Sequence, residues 1–276
     1  MLKKILLPVA IFLLAPITVA AVEPLTDAQV DARLRIVVDN VPRWKANEEN
    51  IREVLSSTAR QIWRYFPQQE KATLKVENQG GPMVLFKRGP KGEYRVLLNT
   101  GGTYWAQYAY QFAHELTHIL CRYKQSRHPN HWLEEAICEG GSIFAIEQMS
   151  KKWQTKPPYP NWRPFSKSLA NYSKDLLAKA ELPAGESFAE WFHKNEKELR
   201  KTSTDRPRNR IVAAQILPLL RKNPEDWEAI RWLNAKPAGP QASLDEFLSN
   251  WWQACPERRR PFVEKVAKIL GKEITK

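Results

Sequence analysis

The chain has 276 residues, 43 Lys+Arg against 30 Asp+Glu for a net charge of +13, 43% hydrophobic residues and 11 glycines. This balance excludes a disordered tail, a collagen-like repeat and a polytopic membrane protein, and fits one large domain or two small ones. Three cysteines are too few for a disulfide scaffold, so the fold stands on an apolar core.

The first residues read as a secretory signal. Lys3 and Lys4 precede an uncharged run from Ile5 to Val22, and Thr18/Ala20 and Val19/Ala21 supply small-x-small spacing for cleavage after Ala20 or Ala21. Pro8 and Pro16 interrupt the run, which argues against a membrane-spanning helix. Loss of Lys3 and Lys4 takes the net charge from +13 to +11. The expected location is periplasmic or secreted, where such a charge favours anionic cell-envelope surfaces and no nucleic acid is expected as partner. Arg206, Arg208 and Arg210, and Arg258 to Arg260, form basic groups of the kind found on solvated faces.

After the signal, apolar residues recur at helical spacing over 27–41, behind Thr26 as N-cap, and over 47–66, stopped by Pro67. Short β-type runs follow at 74–77, 83–87 and 94–98, the last two joined by Arg88-Gly89-Pro90-Lys91-Gly92 as a hairpin loop. Helices are expected over 104–123 and 131–149. A stretch with four prolines, 151–164, marks a boundary. Beyond it helices are expected over 166–180, 187–201, 208–221, 224–234, 243–254 and 261–270. The predicted organisation is a signal at 1–21, an α+β subdomain at 22–150 with a small mixed sheet ahead of two long helices, the Pro-rich connection at 151–164, and an all-helical subdomain at 165–276.

The segment His114-Glu115-Leu116-Thr117-His118 matches H-E-x-x-H in the middle of a predicted helix. Spacing of i and i+4 sets both imidazoles on one face, where they can reach a single Zn2+ ion. Two histidines leave the site short of a third protein ligand. On the next predicted helix, Trp132-Leu133-Glu134-Glu135-Ala136-Ile137-Cys138-Glu139 places Glu135 seventeen residues after His118. Here the chain resembles the gluzincins, the thermolysin-like and peptidase-MA-like zinc peptidases, whose second helix carries a glutamate ligand in patterns such as W-L-x-E-G or N-E-A-x-S-D. The resemblance implies a zincin-like fold, with His114, His118 and Glu135 as zinc ligands. It also implies Glu115 as general base and Glu139 as the acidic residue supporting the first histidine.

Antiparallel packing of the two helices agrees with that assignment. It brings Glu139 beside His114 and points Glu134 about one hundred degrees away from Glu135. His128 and His131 read as loop and surface residues. Gluzincins also supply an electrophile for the charged intermediate, a tyrosine or histidine in most. The helical tail carries Arg208, Asn209 and Arg210 where many members have tyrosine, so Arg210 is the candidate, with Arg208, Tyr172 and His193 as alternatives. Segment 95–99 takes the place of the sheet edge along which gluzincins pair an extended peptide. Axial spacing predicts that Cys121 and Cys138 diverge by about 9 Å, and leaves Cys121–Cys255 as the better pair.

The expected activity is hydrolysis of a peptide or protein substrate, by an endopeptidase or aminopeptidase. The alternative is a catalytically impaired protein of the same fold, acting as a binding module at the cell envelope.

Overall fold

The computed structural model describes residues 23–39, 41–236 and 238–275, so the expected signal at 1–21 lies outside the described residues. Thr26 caps the first helix, its hydroxyl accepting from the Gln29 N–H while the Gln29 side chain reciprocates, but this helix, α1, spans only Asp27–Asp31. The remainder of the helix expected over 27–41 is a strand, β1 (Leu34–Val38), in which Leu34, Ile36 and Val38 are buried in alternation. Its parallel partner β2 (Ala72–Glu77) runs with Leu34 opposite Ala72 and Val38 opposite Val76. Pairing of a β-branched, period-two segment against a neighbouring strand overrides the local helical pattern.

Parallel neighbours need a long crossover, and α2 (Glu48–Trp63) supplies it. Asn47, read as the first residue of the helical stretch, is its N-cap, the side chain accepting from the N–H groups of Glu49 and Asn50. The sheet is completed by β3 (Met83–Val84) and β4 (Tyr94–Leu97), in the order β1-β2-β4-β3, with β4 parallel to β2 and antiparallel to β3. The expected hairpin forms, with the Gly89 N–H donating to the Glu93 carbonyl and Gly92 at φ 76°. The segment expected at the sheet edge, 95–99, is therefore interior. Residues 83–85 cover it, the Leu85 N–H donating to the Arg95 carbonyl, and β3 is the edge.

Two long helices follow: α3 (Trp105–Leu120) and α4 (His131–Trp153). α4 is buried along most of its length and packs against α2, α3, α5 (Phe165–Ala178) and α7 (Arg206–Lys222). An apolar surface all round a helix is what a central position demands. Where α4 faces Thr117 of α3, a Cβ added to Gly141 would lie 2.3 Å from Thr117 Oγ1, so only glycine fits.

The helices expected beyond residue 165 are present as α5, α6 (Phe188–Lys201), α7, α8 (Leu244–Ala254) and α9 (Arg260–Ile269). Ser187 and Ser243 cap α6 and α8. Pro224–Trp232 is a 3-10 helix. The Pro-rich stretch 151–164 is packed through its tryptophans. Trp162 sits 5.5 Å from Trp153 and 5.1 Å from Trp105, ring centroid to ring centroid. Buried side chains from Leu25 to Leu270 form one cluster. The result is a mixed α+β fold, a four-stranded mixed sheet with helices dominating the mass.

Candidate metal centre and cleft

α3 carries its chemistry on one stripe. Tyr110, His114 and His118 follow at intervals of four, so they stack on the face turned to α4. The start of α4 is held by Asn130, whose amide donates to the carbonyls of Ala242 and Ser243 (both 3.1 Å) and accepts from Arg200 Nη1 at 2.7 Å. With both helices fixed, Glu135 meets both histidines. Its Oε2 is 3.2 Å from His114 Nε2 and its Oε1 is 3.7 Å from His118 Nε2.

These donor atoms lie within 4.8 Å of one another. Ligands 2.0–2.2 Å from a tetrahedral ion are separated by roughly 3.4 Å, so the spacing suits Zn2+. The remaining nitrogens agree with that use. His118 Nδ1 donates to Glu134 Oε1 at 2.6 Å, leaving Nε2 as the free lone pair. His114 Nδ1 is buried with no hydrogen-bond partner and lies 4.0 Å from Glu139 Oε2, the side on which a carboxylate is needed once Nε2 is a ligand. The donor set and its surroundings fit the metal.

Glu134 departs from expectation. Rather than pointing elsewhere, it is only 5% exposed and holds His118, while its Oε2 accepts from Asn234 Nδ2 at 2.7 Å. The signal for this was present in the sequence, since His118 has a second ring nitrogen to satisfy and Glu134 adjoins its ligand partner. Glu139 lies beside His114 as expected, yet its closest partners are the Tyr110 hydroxyl at 2.6 Å and Arg210 Nε at 2.5 Å. Tyr110 was legible as the residue one turn before His114.

Arg210, expected to face the reacting carbonyl, instead has its guanidinium behind Glu139, with Nη2 3.4 Å from the Tyr110 hydroxyl. The alternatives are also placed away from the cleft lining. Tyr172 stacks near Tyr110 at 5.8 Å, Arg208 pairs with Asp205 and Asn195, and His193 is exposed on α6. α7 turns Arg206 and Asn209 to the cleft instead, because Arg210 is drawn inward by the buried Glu139 carboxylate.

Electrostatics follow burial and pairing. Burial pushes the Glu135 carboxyl up, but hydrogen bonds and charge from His114 and His118 outweigh it and hold the group far below the usual carboxylate range. Burial likewise pushes the His118 imidazole down, and Glu134 and Glu135 more than offset it, so its affinity for a proton is well above normal. Glu115 is 3% exposed and its pKa is raised, by burial first and by Glu135; His114, His118 and a backbone hydrogen bond from Val84 oppose the shift.

The cleft over these groups has a volume of about 450 Å³. One wall is the β3 edge with Met83 and Val84, and the exposed Phe86 packs 5.4 Å from Tyr123. Tyr123 donates to the Leu85 carbonyl at 2.6 Å, and burial pushes its hydroxyl up to about 12. His131 lines the cleft mouth, bonded to Ser126, and stacks on His128, which in turn stacks on Phe247.

The three cysteines are free and buried, Cys121 and Cys255 among them. Cys121 and Cys138, expected to diverge, lie near enough for each thiol to act on the other. Cys138 also joins His118 and Glu134 in a second group of nearby donors. Burial holds its thiol well above the usual range. Comparison with protein-family models, curated proteins and solved structures gives no match for this chain.

Proposed function

We propose that the protein is an exported zinc peptidase of the gluzincin type, with a zincin-like fold, hydrolysing peptide bonds in the cleft between β3 and the start of α7. The observation that carries this reading is the convergence of His114 Nε2, His118 Nε2 and the Glu135 carboxylate within 4.8 Å, beside the buried Glu115. His114, His118 and Glu135 would hold the ion, which when bound polarises a carbonyl and lowers the pKa of water toward ~7.

The remaining work belongs to side chains of the chain itself. Glu134 fixes the orientation of the His118 imidazole by a 2.6 Å hydrogen bond, and Glu139 stands 4.0 Å from His114 Nδ1, on the side where the matching support is needed. Glu115 removes the proton from the attacking water and later delivers one to the leaving amine; its raised proton affinity suits a group that must both take and return a proton near neutrality. The edge of β3 next to Glu115 supports docking of an extended segment by main-chain pairing, which gives affinity without strict sequence choice.

A second reading has one observation in its favour. Arg210 is occupied by Glu139 and Tyr110, so the expected electrophile does not reach the cleft, as in a protein of this fold that binds at the cell envelope without turnover. Metal analysis combined with cleavage of a random-peptide library separates the two, using the mature protein and Glu115→Gln in parallel. One equivalent of zinc and cuts that vanish in the variant are expected. Zinc without cuts in either protein supports the binding module, and absence of zinc binding overturns both.

A further inference from the structure

One corner of the cleft, residues 203–209, takes no part in the chemistry above. Asp205 caps α7 by accepting from the Arg208 N–H and pairs with the Arg208 guanidinium, so the nearest acid is already committed. Arg206, exposed to solvent at the cleft, makes no ion pair or hydrogen bond to any described residue. The other cation of the lining, Lys124, donates to the Asn234 carbonyl at 2.8 Å.

Asn209 provides an independent observation at the same corner. It is 2% exposed and lines the cleft, and its Nδ2 donates to the Ser203 carbonyl at 2.6 Å, which fixes the direction of the amide. Its Oδ1 is buried and has no protein donor. Such an acceptor calls for an N–H. An unopposed guanidinium calls for an anion, best a carboxylate met by two parallel N–H groups. Elsewhere the lining carries Glu115, Glu134, Glu135 and Glu139; its Lys and Arg cations are Lys124 and Arg206, of which Arg206 is the one without a protein partner among the described residues.

We propose that Arg206 and Asn209 form a substrate-carboxylate subsite, the guanidinium taking the carboxylate and Asn209 Oδ1 accepting the backbone N–H of the residue that bears it. This rests on the peptidase reading. The carboxylate is either the C-terminus of the substrate or an Asp or Glu side chain, and both present the same group to Arg206.

The test uses the zinc-loaded Glu115→Gln protein for equilibrium binding, and the protein with Glu115 intact for cleavage. The probes are hexapeptide libraries ending in a free carboxylate or a carboxamide, each with or without one internal glutamate. A charge-assisted pair is expected to favour the matching carboxylate about 10- to 100-fold in binding, with the same preference in kcat/KM. Arg206→Gln should collapse that ratio toward one, and Arg206→Lys should keep part of it. Preference for the free terminus identifies the C-terminus as the source, and preference for internal glutamate identifies the side chain. Peptides bound and cut with no carboxylate preference, or a preference that survives Arg206→Gln, overturn the subsite and leave the peptidase intact. A zinc-loaded protein that neither binds nor cuts any of the four libraries overturns the peptidase reading, and the subsite with it.

Discussion

Glu134 and His118 are joined by a 2.6 Å hydrogen bond that turns the other imidazole nitrogen toward Glu135, and Asn234 anchors Glu134 from the far side. The adjacent glutamates on α4 thus divide two tasks, one facing the candidate metal and the other fixing the tautomer of a ligand. On the His114 side the facing carboxylate is Glu139, 4.0 Å from Nδ1 and itself held by Tyr110 and Arg210.

Removal of either supporting carboxylate should weaken zinc binding without abolishing it. Glu134→Ala and Glu139→Ala are each expected to lower affinity about 10- to 100-fold, read by competition with a chromophoric chelator. Glu134→Ala also leaves the buried Asn234 amide short of an acceptor and should cost about 1–3 kcal/mol of stability. Wild-type zinc affinity in both variants would remove the support role.

Glu115 is expected to be a stability liability in the metal-free protein. Its folded-state pKa is raised above the ordinary 4.5, so the unfolded chain releases this proton first as pH rises. The stability it contributes is present below pH 4.5 and is lost as pH climbs through the folded value. Glu115→Gln, which has no proton to lose, should therefore melt higher than wild type at pH 7–8 and equally near pH 4, in chelator-treated protein. A lower melting temperature at neutral pH would contradict the burial of an ionised base.

Arg210 serves Glu139, and its loss should be felt in folding. Glu139 is 1% exposed, so Arg210→Met leaves a buried carboxylate without its cation, at about 3–5 kcal/mol. The paired change Arg210→Met/Glu139→Gln should recover most of this in chemical denaturation. If Arg210→Met left stability untouched and reduced only turnover, the residue would belong to the reacting centre after all.

The contact of α3 with α4 at Gly141 gives a steric prediction. Gly141→Ala would bring a methyl within 2.3 Å of Thr117 Oγ1, which is held in place by its bond to the Ala113 carbonyl at 2.7 Å. Overpacking of this kind costs about 1–3 kcal/mol. Adding Thr117→Ala should restore part of it, a coupling expected only of residues in contact. Additive effects in the double variant would place the two side chains apart.

The histidine stripe was legible because it is local. Spacing of i and i+4 within one helix sets His114 and His118 side by side whatever the rest of the chain does, and the caps at Thr26, Ser187 and Ser243 act on N–H groups three residues away. Partners distant in sequence were another matter. Segment 34–38 carries apolar residues compatible with either period, and only β2, more than thirty residues on, makes it a strand. The sheet edge passed from β4 to β3 because a two-residue pairing covers β4.

The direction of each polar side chain was settled the same way. Arg206, Arg208 and Arg210 are equivalent by composition, yet Glu139 draws one inward, Asp205 holds another, and the third faces the cleft. Sequence by itself determined which groups are present and which share a helix face, since helical geometry fixes both. Tertiary structure alone decided which buried charge each group answers, because an ionised side chain taken from water goes to the nearest opposite charge, and that neighbour comes from another part of the chain.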